Sequence, residues 1–299
     1  MDKMHATNGV SWAQSGQWQT LKAALHESTP QGAYEWLEMI GAGCPLTLSF
    51  DGCVESADDV LGLTIAGALL RSVGHRYRGS RSADETSETQ FERYYSYLVQ
   101  AKNALEQALN LDRHNGLAAA VYMLISTDPV EDGQKEIAEA RLLDARNVPL
   151  AGYMNLLKAN LEKWGGSHED MFRIARSRLG KDQPLQNALI AYAHVERELF
   201  YSMFDESPEA AQLAKQYYQG AVLDELRTAS QIILNAHDVD PAEQKLADSW
   251  MIIALTYAGE TKLALRHLRR QKGYKGGAWL QIGNATLFKF ILRLQGIFV

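Results

Sequence analysis

The stretch Ala247-Asp248-Ser249-Trp250-Met251-Ile252-Ile253-Ala254-Leu255-Thr256-Tyr257-Ala258 decides the fold class. Ala247, Trp250, Met251, Ala254, Leu255 and Ala258 recur at i, i+3, i+4, i+7, i+8 and i+11, which places them on one face of an α-helix. The same period runs through Tyr153, Leu156, Leu157, Leu161 and Trp164, through Met171, Ile174, Ala175 and Leu179, and through Leu98, Ala101, Leu105, Ala108 and Leu109. No stretch shows sustained alternation with a period of two between hairpin turns, and the best strand candidate is the short segment 46–50. The chain reads as all-α, with helices near 11–28, 31–41, 57–78, 87–111, 116–127, 130–145, 150–164, 168–179, 184–204, 208–235, 242–257, 260–271 and 278–294.

Prolines mark several of these starts. Thr29-Pro30, Asp128-Pro129, Ser207-Pro208 and Asp240-Pro241 each set a capping side chain before a proline at the first helical position. A proline lacks only an N–H that has no intrahelical partner there. Asp128 and Asp240 also have Glu131 and Glu243 three residues on, in the manner of a capping box, and Ser167 with Asp170 is a looser version.

Composition narrows the function classes. The 299 residues, 46% hydrophobic and 22% charged, can bury a sizeable core, and the net charge of −6 argues against a dedicated nucleic-acid binder. Cys44 and Cys53 are too few for a disulfide framework or a zinc site built on cysteine, so two free thiols are expected. Met1-Asp2-Lys3-Met4-His5 has no apolar signal region, and the uncharged apolar runs at 60–70, 116–127 and 276–288 fall short of the ~20 residues that cross a bilayer. A cytoplasmic protein without membrane insertion is the expectation.

Short helices joined by short loops suggest stacked antiparallel pairs. Two stretches resemble tetratricopeptide repeats. Ala108-Leu109-Asn110-Leu111-Asp112-Arg113-His114-Asn115 looks like the end of a repeat, with Ala101 and Leu105 at the preceding packing positions and Arg113 where the family usually has proline. Trp250, Ile253, Ala254 and Tyr257 have the spacing of a repeat's first helix, Ala264 and Leu268 that of its second, with a turn at Gly259 about two residues short of the family pattern. A further run, Lys163-Trp164-Gly165-Gly166-Ser167-His168-Glu169-Asp170-Met171, resembles a bacterial family of TPR-like proteins without an established activity. The resemblance implies an α-solenoid of stacked antiparallel helix pairs whose surface binds another protein.

The residues Trp164, Gly165, Gly166 and Ser167 also have a local reading. At least one glycine is expected at positive φ to end a helix, Ser167 caps the next, and Trp164 is expected to pack between helices. The stretch 74–90 is almost free of apolar residues and is read as the boundary between an N-terminal helical segment, 1–80, that packs on or caps the rest, and a TPR-like repeat body, 85–299.

No catalytic signature is present, so an enzyme is not expected and no cofactor is implied. His194 and Glu198, at i and i+4, could supply two metal ligands for a metal-dependent hydrolase if a third ligand converged, yet a charged helix face explains them as well. His237-Asp238-Val239-Asp240 reads as a helix end followed by a cap. Lys262, Arg266, Arg269 and Arg270 form a basic stripe that Lys272 and Lys275 extend, with Gly273 ending the helix. It suits an acidic protein surface better than nucleic acid, because base-stacking aromatics are missing from the 262–272 helix. A second basic group, Arg71, Arg76, Arg78 and Arg81, borders the polar stretch. Tyr94, Tyr95 and Tyr97, and the pair Tyr217-Tyr218, cannot all face one core, so Tyr94 and Tyr217 join the stripe as the expected interaction surface. The expected function is a protein–protein interaction module: a scaffold, an adaptor or a toxin-neutralising immunity protein, its partner unspecified by the sequence.

Overall fold

The computed structural model describes residues 3–82, 84–127, 130–180 and 182–271. Among them are fourteen α-helices and no strand, and an isolated bridge joins Asn115 to Arg146. The segment 46–50 is a loop, held where the Phe50 ring stacks on Trp18 and the Trp18 indole donates to the Asp51 carbonyl at 2.9 Å. The expected cap at Asp128-Pro129, the helix over 278–294, and Lys272, Gly273 and Lys275 lie outside the described residues. The chain divides into two compact units, Met1–Ala159 and Asn160–Val299.

The first unit holds α1 (Lys3–Gln14), α2 (Trp18–His26), α3 (Pro30–Gly43), α4 (Val60–Arg78), α5 (Glu88–Leu111), α6 (Gly116–Ile125), α7 (Gln134–Asp144) and α8 (Leu150–Ala159). Gly16, at φ 69°, splits the single helix expected over 11–28 into α1 and α2. α6 is apolar on every side, and its residues are buried between α5, α7 and α8. α4 lies so close to α5 that a Cβ on Gly67 would meet Leu105 at 2.5 Å, and one on Gly74 would meet Tyr97 at 3.0 Å. The polar stretch 74–90 therefore spans the connection of a tightly packed pair and does not divide the chain. Ser87 and Gln90 close a reciprocal capping box at the start of α5. Arg71 and Arg76 turn toward α3, to Glu38 and to the Cys44 carbonyl, so the second basic group is not an open patch. Cys44 and Cys53 are buried free thiols that burial pushes up to about 11 and about 12.

The second unit holds α9 (His168–Ser177), α10 (Ala188–Met203), α11 (Ala210–Gln216), α12 (Ala221–Leu234), α13 (Pro241–Tyr257) and α14 (Thr261–Arg270). Short 3-10 turns cover Glu162–Trp164 and Pro184–Asn187, so the helices expected over 150–164 and 184–204 are shorter than their apolar pattern. α10 packs on α9, α11, α12 and α13, and α13 pairs with α14 across a turn in which Gly259 takes φ 75°. Gly220, at φ 54°, separates α11 from α12 where one helix was expected over 208–235. Ser207 is not a cap, because α11 begins after Glu209, whereas Asp240 accepts from the Ala242 N–H at 2.8 Å and Thr29 from Gly32.

Candidate functional site

The Trp-Gly-Gly-Ser run forms the turn into α9. Leu161 begins the 3-10 turn, Gly165 ends it at φ 80°, and Ser167 caps α9 by accepting the Asp170 N–H at 3.0 Å. Gly165 supplies the expected positive φ, and Gly166 serves close backbone approach. Its φ is not positive; a Cβ there would stand 2.2 Å from the Asn160 carbonyl oxygen, so only glycine lets the two backbones approach. Trp164 does not fill an inter-helix groove: its side chain is half exposed. Its neighbour Lys163 pairs with the buried Glu196 at 3.0 Å and holds its ammonium 5.5 Å from the Phe204 ring.

From this turn an aromatic and ionic surface runs along α9 and α10, the connection between α11 and α12, and the end of α13. The His168 ring meets the Phe200 ring edge-on at 4.7 Å, and Phe200 stacks on the exposed Phe204, beside the still more exposed Met203. Farther along, Tyr217 lies between Tyr201 and Tyr218, at 5.9 and 5.1 Å between centroids, and Tyr218 leads to the half-exposed Tyr257. The Arg197 guanidinium lies 4.3 Å from the Tyr201 centroid, and Arg176 lies 4.8 Å from Phe172. Such cation–π contacts add electrostatic attraction to the packing.

Beneath the surface His194 is buried and engaged at both nitrogens. Nδ1 is 2.8 Å from the Tyr217 hydroxyl and Nε2 is 3.0 Å from Glu225, which Arg176 also grips with two bonds of 2.9 and 3.0 Å. Burial pushes the Glu225 carboxyl up, but hydrogen bonds and charge from His194 and Arg176 outweigh it and hold the group at about 2. An ionised Glu225 can only accept, so Nε2 carries a proton. Glu198 turns to Ser202 at 2.6 Å, so His194 and Glu198 do not form a ligand pair. Among the described residues no three His, Cys, Asp or Glu side chains are arranged to hold a metal.

A second histidine network, absent from the sequence reading, joins three helices. His267 of α14 stands with Nδ1 2.7 Å from Asp248 of α13 and Nε2 2.9 Å from the Ser230 hydroxyl of α12. Burial lowers the His267 pKa against the opposing pull of Asp248, so the ring is neutral, with Nδ1–H donating to Asp248 and Nε2 accepting from Ser230. The order Ser-His-Asp is that of an acyl-transfer triad. Here all three residues are at most 1% exposed, which leaves the hydroxyl without an approach for substrate. Arg270, expected on the interaction surface, is drawn inward to the same network, donating to the Ile233 carbonyl at 2.9 Å and lying 3.6 Å from Asp248. Spacings of 18 and 19 residues on separate helices carry no local signal, which is why sequence inspection missed the network.

The other expected surface residues are divided. Lys262, Arg266 and Arg269 are exposed, Tyr217 is partly exposed, and Tyr94 is buried at 2%, between α4 and α5. His237 follows the end of α12 at an exposed turn where Asp238 takes φ 53°. No helix among the described residues is long and apolar enough to cross a membrane. No family model, no curated protein and no solved structure matches the chain.

Proposed function

We propose that the chain is a non-catalytic protein–protein interaction module of TPR-like helix pairs, acting in the cytoplasm as a scaffold, an adaptor or an immunity protein that neutralises a toxin. The observation that supports it best is the surface of the second unit. Met203 is 68% exposed there and Trp164, Phe204 and Tyr257 are nearly half exposed, within a framework of ring contacts and paired arginines. Aromatic residues, methionine and arginine are the side chains enriched at protein interfaces, and rigid rings lose little entropy on docking. The α13–α14 hairpin supports the repeat-like reading locally, since Trp250, Ile253, Ala254, Ala264 and Leu268 are buried in it.

A photo-cross-linking residue placed in turn at Met203, Phe204 and Tyr257 tests the proposal, with the exposed Glu136 of α7 as the control position. The expected result is one defined protein adduct from the three surface positions and none from the control. Equal labelling at all four positions, or at none, would overturn it.

A further inference from the structure

α14 is two-sided in charge. Ala264, His267 and Leu268 face inward and are buried, while Lys262, Arg266 and Arg269 stand at i, i+4 and i+7 on the opposite side. The three cations share one narrow arc and span about 10 Å of helix axis, at 1.5 Å per residue. None has a carboxylate within ion-pair distance among the described residues. Elsewhere the chain pairs its exposed arginines: Arg113 with Asp144, Arg173 with Asp170, Arg176 with Glu225 and Arg227 with Glu260. The sequence withholds partners from this region on a larger scale. Residues 261–299 contain eight Lys and Arg and no acid, and all thirty-six Asp and Glu precede them, against twenty-two Lys and Arg.

Resting on the interaction reading above, we infer that this row docks an acidic helical segment of a partner protein, with carboxylates repeating at i, i+4 and i+7. Two helices packed side by side lie 8–10 Å apart, and equal repeats bring each carboxylate opposite one cation. Charge range selects this partner over longer polyanions. Screening confines exposed charges to about 8 Å at physiological salt, so a short segment senses the row alone. The net charge of −6 disfavours a nucleic acid or an anionic bilayer. The arc holds no aromatic side chain on which a base could stack.

The test uses the full chain and a synthetic eighteen-residue alanine-based peptide with glutamates at i, i+4 and i+7, its binding followed by fluorescence anisotropy at two salt concentrations. A peptide of the same composition with scrambled spacing, an oligothymidine and phosphatidylserine vesicles serve as competitors. The spaced peptide is expected to bind several-fold more tightly than the scrambled one, to weaken with salt, and to lose at least tenfold in affinity with the combined changes Lys262→Glu, Arg266→Glu and Arg269→Glu. Should that variant melt early, Lys262→Gln with Arg266→Gln and Arg269→Gln removes the charge without reversing it, and the same loss is expected. Undiminished binding by a folded variant, equal binding of the scrambled peptide, or tighter binding of the oligonucleotide or vesicles would overturn the inference. Cross-linking at Met203 and Tyr257 reads a different surface, so its success or failure separates the general interaction reading from this one.

Discussion

At the scale of single residues, backbone approach and buried charge decide more than the identity of the conspicuous side chains. Trp164 is a large apolar group, yet its exposure means that Trp164→Ala should lower stability by less than about 1 kcal/mol. Gly166→Val should lower it by about 1–3 kcal/mol, because a Cβ collides with the Asn160 carbonyl oxygen, and Gly165→Val by a similar amount through its positive φ. Thermal melts of the three variants check the ranking, and a larger loss for the tryptophan variant would reverse it. The turn itself was legible in the sequence, since Gly-Gly-Ser announces a helix end and a cap. Which glycine answers torsion and which answers proximity was not, because proximity depends on where the chain returns in space. The buried ionisable groups set the acid response. Glu225 has a folded pKa depressed from 4.5 to about 2, so its contribution is complete above 4.5 and is lost as pH falls from there toward 2. His267 has a lowered pKa while buried, so below 6.5 the unfolded chain gains a proton that the native ring refuses, and stability falls with pH. In acid titrations Glu225→Gln should flatten the loss between pH 4.5 and 2 and leave the loss beginning near pH 6.5 in place.

At the scale of elements, the period of 3.6 residues made most helices readable, and capping side chains such as Thr29, Ser167 and Asp240 fixed several starts to within a residue. Two of the misses share a cause. Gly16 and Gly220 interrupt runs whose apolar pattern continues across them, and a positive φ is invisible to periodicity. Helix pairing was less legible still. That α4 and α5 pack at close range depends on Gly67 and Gly74, which inside a helix read merely as weak formers. Gly67→Ala should therefore destabilise by about 1–3 kcal/mol, as overpacking does, although alanine is the better helix former. Leu105→Ala alone opens a cavity and should cost about 2–5 kcal/mol. Combined, the two changes should cost clearly less than their sum, because the new methyl enters the space the leucine leaves. Strict additivity in a denaturant double-mutant cycle would show that the two side chains do not meet.

At the scale of the whole molecule, the sequence separated what is polar from what is apolar, and that is not the same as separating units. The stretch 74–90 looks like a linker because it is polar, but it joins two helices that bury Tyr94, Leu98 and Leu105 between them and their neighbours. The division after Ala159 carries little compositional mark: α8 is apolar up to it and the 3-10 turn begins shortly afterwards. A unit is defined by where its apolar faces are buried, and this follows from pairing between distant helices, such as the bonds of Asn155 to Tyr34 and to the Ala120 carbonyl, at 2.9 and 3.0 Å. Cutting the chain should therefore discriminate sharply between the two boundaries. A fragment of residues 1–159 keeps α4 with α5, and α6 between its neighbours, and should give a helical circular-dichroism spectrum and one cooperative thermal transition. Fragments 1–80 and 85–299 separate α4 from α5, exposing the apolar faces of both helices, and each should aggregate or bind a hydrophobic dye strongly. Cooperative, dye-silent unfolding of the 85–299 fragment would instead restore the polar stretch as the true boundary. The expected contrast follows from the close contact at Gly67 and Gly74, since a helix whose backbone lies against another has no alternative surface on which to bury that face.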